Sequence, residues 1–235
     1  MVNIIIDGRK IKAKEGSTIL KNARELKIDI PTLCHHDELT PAAACRLCAV
    51  EVKTNGKWKI TASCDTVAEQ GMEIKTDSDK VKENRRLAAQ LLYYKYPSTA
   101  VVRDMARRLG VEVSDEKIDG HDCILCGLCV RACGEVVDVS ALRFRDRGPG
   151  RDIDEPEIEF DPALCIGCGA CAYVCPTGYV KMESVDNKRI IWDKVFKMQA
   201  CSVCGSYFAP LDQLEYINKK TGAPLSRLSI CMSCR

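Results

Sequence analysis

The sequence predicts an α+β chain of four consecutive segments, and three observations carry that expectation. Apolar residues alternate at strand period near the N-terminus. A helical pattern rich in Ala, Leu, Arg and Lys runs from Asp79 to Gly110. Sixteen cysteines fall into four sets of four, each holding at least one Cys-x2-Cys pair. The expected segments are 1–78, 79–118, 119–190 and 191–235.

In the first segment Val2, Ile4 and Ile6 alternate, and Ile19, Ala23 and Leu26 recur at helical spacing. This predicts a small mixed sheet with a helix packed on it, the helix stopped by Pro31 and Thr32. AVEVK and KWKITA flank Thr54-Asn55-Gly56, a hairpin whose Asn-Gly supplies positive φ angles. Cys34 opens a loop, Cys45 and Cys48 end it, and Cys64 lies just past the hairpin. In the second segment KVKENRRLAAQLLYYKY and VVRDMARRLG predict two helices separated by Pro97. Their Arg and Lys residues are expected to form a solvated face rather than a docking surface.

The N-terminus, MVNIIIDGRK, shows no apolar leader, so a reducing cytoplasm is expected. There, cysteines at these spacings signify metal ligation rather than disulfides. No stretch approaches the run of about 20 apolar residues that a spanning helix needs, so direct membrane insertion is not expected. The formal charge of +2 counts every cysteine as a neutral thiol. Four thiolates around a +2 core leave −2 per site, which brings a fully loaded chain to about −6. An acidic protein without a concentrated basic patch is not expected to bind nucleic acid.

The first set, Cys34, Cys45, Cys48 and Cys64, reads Cys-x10-Cys-x2-Cys-x15-Cys. That suits a [2Fe-2S] cluster wrapped by one long loop, with zinc as the alternative occupant. Plant-type ferredoxins use a tighter first gap. The stretch IPTLCHHDELTPAAACRLCAVEV and the later GMEIKTDS resemble the N-terminal iron–sulfur region of the large complex I subunit. They equally resemble the small diaphorase subunit of NAD-linked hydrogenases. The resemblance covers roughly residues 1 to 190 and implies a β-grasp [2Fe-2S] ferredoxin domain at 1–78. His35 and His36 follow Cys34, but four cysteines are already present, so these histidines are expected to do no more than hydrogen-bond within the loop. In those families a further cluster held by one His and three Cys follows. The corresponding stretch here, YKYPSTAVVRDMARRLGVEVSDEK, has neither residue, which implies a relay one cluster shorter.

DCILCGLCVRAC and LCIGCGACAYVCP both read Cys-x2-Cys-x2-Cys-x3-Cys, the run of bacterial ferredoxins, each expected to carry a [4Fe-4S] cluster. Gly127, Gly167 and Gly169 would let the backbone approach the cluster closely. In two-cluster ferredoxins the fourth Cys of each run serves the other cluster. That resemblance implies Cys123, Cys126, Cys129 and Cys175 at one site, and Cys133, Cys165, Cys168 and Cys171 at the other. Gly134 stands where the first run would carry Pro, and 31 residues, many charged, separate the runs. Both features match the complex I and hydrogenase relatives better than a free ferredoxin.

The last set, Cys201, Cys204, Cys231 and Cys234, comprises two Cys-x2-Cys knuckles 26 residues apart, similar to zinc ribbons and rubredoxins. Zinc is the favoured occupant of a tetrahedral four-sulfur site; a fourth iron–sulfur cluster or a single iron are the alternatives.

There is no P-loop and no Gly-x-Gly-x-x-Gly after a strand, so the chain is not expected to be an enzyme by itself. The resemblance implies an electron-transfer subunit of an NADH or NADPH dehydrogenase, hydrogenase or formate dehydrogenase complex, electron-bifurcating complexes among them. Its partners would be a flavin- and NAD(P)-binding subunit and a ferredoxin, hydrogenase or second dehydrogenase. Two ferredoxin-type cubanes suit anaerobic chemistry. The alternative is a redox-sensing iron–sulfur module.

Overall fold

The computed structural model describes residues 1–54, 56–116, 118–145 and 158–235. Asn55 of the expected tight turn and residues 146–157 of the charged stretch between the cysteine runs lie outside the described residues. The chain divides into two compact units, Met1–Gly127 and Leu128–Arg235. Among the described residues no helix is long and apolar enough to cross a membrane.

The first unit opens with β1 (Val2–Ile6) and β2 (Arg9–Ala13), followed by α1 (Ile19–Glu25), β3 (Ala49–Thr54), β4 (Lys57–Ala62) and β5 (Glu73–Lys75). The five strands form one sheet in the order β2-β1-β5-β3-β4. β1 pairs with β5 in parallel and all other pairs are antiparallel, so the sheet is mixed. The alternation at Ile4 and Ile6 puts both on the face that packs against Ile19, Leu20 and Ala23 of α1. Thr18 caps α1 by accepting from Lys21 N at 3.3 Å. Two further backbone donors at the start of α1, Ile19 N and Leu20 N, reach Thr66 O and Ser63 O. The helix therefore sets the loop that presents Cys64.

α1 does not run to Pro31. It ends at Glu25, with Leu26 as its cap and Lys27 left-handed at φ 60°. The carbonyls of the last turn are taken by Leu26, Lys27 and Ile28 N–H groups, which closes the helix before proline is reached.

α2 (Asp79–Lys95) and α3 (Ala100–Arg108) complete the first unit. Ser78 caps α2, accepting from Val81 N and donating to Glu51 Oε2 at 2.6 Å. These helices pack on the cysteine loop of the same unit. Ala89, Tyr96 and Val102 pack with Leu33, Leu47 and the side chains of Cys34 and Cys45. Nor are all their cations solvated: Arg85 is buried and donates from Nε and Nη2 to Ala49 O at 3.0 and 2.8 Å.

The second unit begins with α4 (Leu128–Arg131), which continues as a π-helical turn over Ala132–Val136. β6 (Leu142–Phe144) and β7 (Ile158–Phe160) form an antiparallel pair, and α5 (Ala170–Tyr173) follows. β8 (Met182–Val185), β9 (Lys188–Ile191), β10 (Lys194–Ala200) and β11 (Tyr207–Pro210) make a four-stranded sheet in the order β11-β10-β9-β8. This sheet runs without a break across residue 190. Then come α6 (Leu211–Thr221), α7 (Leu225–Leu228) and a single 3₁₀ turn over Met232–Cys234. α6 is pinned to the segment after Cys133, because Tyr216 Oη contacts Val137 O and Asp138 O and Lys220 pairs with Asp138.

Candidate metal centres

All four cysteines of the first set are buried in the first unit. The structure groups them as two pairs, Cys34 Sγ to Cys45 Sγ at 3.4 Å and Cys48 Sγ to Cys64 Sγ at 3.3 Å. The hydrogen bond within each pair pulls Cys45 down to about 6 and pushes Cys34 up, and likewise pulls Cys48 down to about 7 and pushes Cys64 up. The loop reaches this arrangement through left-handed residues on both sides of Cys45, Ala43 at φ 49° and Arg46 at φ 58°. Strain of this kind persists only where the surroundings over-determine it. Cys48 and Cys64 are tied through Ser63, whose N and Oγ both donate to Cys48 O, at 3.0 and 2.7 Å. His35 Nε2 lies 3.0 Å from Asp37, and His36 Nδ1 accepts from Glu38 N.

Within the second unit, Cys133, Cys165, Cys168 and Cys171 line one cavity. Three come from the second run and one from the end of the first. The remaining walls are mostly apolar, with Val139, Leu142, Phe160, Ile166 and Ile191 among them. Four thiols facing a common apolar space fit an iron–sulfur group far better than a small polar ligand. Cys133 Sγ also accepts from Ala141 N at 3.2 Å. Gly167 and Gly169 have φ of 70° and 87°. A Cβ on Gly167 would sit 2.7 Å from the Phe196 ring, and one on Gly169 would sit 2.6 Å from Met182 Sδ. Part of the need for glycine therefore comes from the sheet packed behind the loop.

Of the other dicluster set, Cys123 and Cys126 belong to the first unit, and Cys129 and Cys175 to the second. Cys126 packs with the core that holds Cys34 and Cys45. Cys129 lies in α4, and Cys175 follows α5 with its Sγ 3.5 Å from Thr177 Oγ1.

The ligand atoms of Cys201, Cys204, Cys231 and Cys234 all lie within 4.8 Å of one another, which makes this a four-cysteine metal site. The first knuckle spans the β10–β11 connection, closed by Cys201 N to Ser206 O and Gly205 N to Cys201 O, both 2.9 Å. Backbone N–H groups of Cys204, Cys231 and Val203 converge on Cys201 Sγ and pull its thiol down to about 6.

Two family models match. Residues 1–79 match a 2Fe-2S iron-sulfur cluster binding domain and residues 122–179 a 4Fe-4S dicluster domain. The chain is 30% identical over 233 residues to a subunit of the NADH-quinone oxidoreductase of Rhizobium meliloti, covering 88% of this chain and 27% of that one. It is 34% identical over 210 residues to NADP-reducing hydrogenase subunit HndD of Solidesulfovibrio fructosivorans, covering 76% and 35%. The chain is an iron–sulfur homologue of NAD(P)H-linked oxidoreductase and hydrogenase subunits. A further relative is the NADPH-Fe(3+) oxidoreductase subunit alpha of Geobacter sulfurreducens, at 29% identity over 88% of this chain and 27% of that one. Among solved structures, an NAD+-reducing [NiFe]-hydrogenase in the H2-reduced state aligns with TM-score 0.53 and 28% identity, over 63% of this chain and 71% of that one. This iron–sulfur homologue spans about a quarter to a third of the length of these curated relatives.

Sequence reasoning passed over Arg85, Arg189, Trp192 and Lys194, which the fold brings against cysteine-bearing loops or their cavity. Nothing in their local sequence marks them. They act across strands and helices that the cysteine spacing does not describe.

Proposed function

We propose that this chain is the electron-transfer subunit of a multi-subunit NAD(P)H-linked oxidoreductase. It would sit between a flavoprotein partner and a ferredoxin, hydrogenase or second dehydrogenase. Cys34 with Cys45 and Cys48 with Cys64 would each hold one iron of a [2Fe-2S] cluster. Cys123, Cys126, Cys129 and Cys175 would hold one [4Fe-4S] cluster, and Cys133, Cys165, Cys168 and Cys171 the second. Cys201, Cys204, Cys231 and Cys234 would form a zinc-ribbon-like clip. Iron–sulfur clusters, when bound, accept and release single electrons. The residues of this chain supply thiolates, apolar walls that exclude water, and backbone donors to sulfur. Hydride chemistry belongs to partner subunits.

The observation that carries this reading is the cavity lined by Cys133 together with three cysteines of the second run. That grouping supports the exchange of fourth ligands found in two-cluster ferredoxins. The four segments of the chain would then be a ferredoxin domain, a helical pair packed on it, the dicluster domain and a metal-clipped tail.

Metal analysis of the anaerobically purified protein should give about ten iron and about one zinc per chain. Cys129→Ser should remove one [4Fe-4S] signal from the low-temperature EPR spectrum and leave the [2Fe-2S] signal intact. About fourteen iron and no zinc would refute the clip. Co-purification with a flavoprotein that reduces the centres from NADH or NADPH tests the relay, and failure of both nucleotides in the intact complex would refute it.

A further inference from the structure

The hairpin that follows the matched dicluster segment puts one side chain in a costly place. β9 and β10 are joined by the two-residue loop Trp192–Asp193, closed by the Ile191–Lys194 pair. Both loop residues are left-handed, at φ 52° and 60°. Short hairpin loops require that geometry, but Asn and Gly adopt it easily and a bulky residue there is an outlier. Such outliers gather at functional sites. The Trp192 ring is fixed by stacking on Phe160 at 5.8 Å and by an edge contact with Tyr179 at 6.1 Å.

That ring lines the cavity shared by Cys133, Cys165, Cys168 and Cys171. Its indole Nε1 is buried and has no hydrogen-bond partner, which is unusual for a buried tryptophan. Cys171 lines the same cavity, so its sulfur is an acceptor available on the wall that the indole occupies. The same hairpin sends two cations onto the cysteine loop. Lys194 Nζ donates to Pro162 O and Cys165 O at 2.7 and 2.9 Å, and Arg189 Nη1 donates to Gly167 O at 3.1 Å.

We propose that Trp192 is a positioning residue whose indole N–H donates to the Cys171 sulfur when the second [4Fe-4S] site is loaded. With Lys194 and Arg189 it raises that site's reduction potential. The inference rests on the reading of Cys133, Cys165, Cys168 and Cys171 as that site's ligands. Its physical basis is charge: reduction adds one negative charge, and a donor to sulfur and two fixed cations all favour the more negative state. The hairpin lies beyond residue 179, where the dicluster match ends. A ferredoxin segment alone would therefore lack this control.

The test is an EPR-monitored redox titration of the holoprotein carrying Trp192→Phe, which keeps an aromatic ring against Phe160 and removes only the donor. Iron content and signal amplitude should be unchanged. The reduced-to-oxidised ratio of one [4Fe-4S] centre at fixed potential should fall about tenfold, equivalent to a midpoint about 59 mV lower for one electron. Lys194→Gln should move the same midpoint in the same direction. An unmoved midpoint with iron retained overturns the proposal.

A second measurement needs no variant at Trp192. The chain has two tryptophans, Trp58 and Trp192, so protein grown with indole-¹⁵N-tryptophan and carrying Trp58→Phe reports Trp192 alone. Pulsed EPR of the reduced protein should show a ¹⁵N coupling to a [4Fe-4S] signal, and its absence overturns the proposal. Cys168→Ala separates the two levels. If it abolishes the signal that Trp192→Phe was meant to shift while Trp192→Phe leaves the midpoint alone, the ligand reading stands and this inference fails. If it leaves that signal intact, the ligand reading fails first.

Discussion

Replacing Arg85 by methionine removes the two hydrogen bonds that α2 donates to Ala49 O, one residue beyond Cys48, while keeping most of the apolar stem. Hydrogen bonds from a charged donor contribute roughly 1.5–3 kcal/mol each to stability. Arg85 is only 6% exposed, and burial lowers its pKa, so desolvation offsets part of that gain. The low end, about 1.5 kcal/mol for the site, is therefore the expected loss, about a tenfold change in the local opening equilibrium. The assay is the rate at which a chelator bleaches the [2Fe-2S] absorbance, with urea unfolding of the same samples as a control. Bleaching should accelerate about tenfold. A rate and a urea midpoint within twofold of the parent would refute the idea that α2 holds the Cys48 strand in place.

Gly167→Ala combines a left-handed φ, which costs an L-residue about 1–2 kcal/mol, with a Cβ 2.7 Å from the buried Phe196 ring. It should reduce iron incorporation by about four per chain while sparing the [2Fe-2S] spectrum. The Ser78 hydroxyl, together with Lys80, holds the Glu51 carboxyl below its ordinary 4.5. Its contribution to stability is therefore full above about pH 4.5 and fades as the pH falls through the lowered value, and Glu51→Gln should flatten that part of an acid-unfolding curve. Cys204→Ser should release the tail metal, read with a zinc-sensitive dye, while total iron stays at about ten; loss of iron would reassign the tail site.

The cysteine spacings pointed to four candidate sets because ligand spacing is a local property of the chain, and the fold groups the cysteines of the first set, Cys133 with the second run, and the C-terminal set. β1, β3, β4, α2 and α3 were legible for the same reason, since strand alternation, helical periodicity and Pro97 act within a few residues. Whatever depends on distant partners did not show. The end of α1 was misplaced because a left-handed Lys27 carries no signal of the kind glycine gives. Arg85 looked like one more solvated cation of a basic helix, and only the packing of that helix reveals its carbonyl partner. The Trp192–Asp193 turn lacks both Asn and Gly, so a sequence reader sees an uninterrupted strand. The β8–β11 sheet crosses residue 190 because its strands take their partners from both sides of that residue.

The packing of α2 and α3 on Leu33, Leu47, Cys34 and Cys45 bears on how the protein is made. The ribosome releases these two cysteines some sixty residues before Val102, the last buried helical residue of that core. The nascent loop therefore leaves the tunnel with its cysteines and its apolar floor uncovered. Completion of α3 then covers the loop, so in the order of synthesis the cysteines are exposed before they are enclosed. A nascent chain arrested before residue 100 should accept iron faster than the released protein and lose it faster to a chelator.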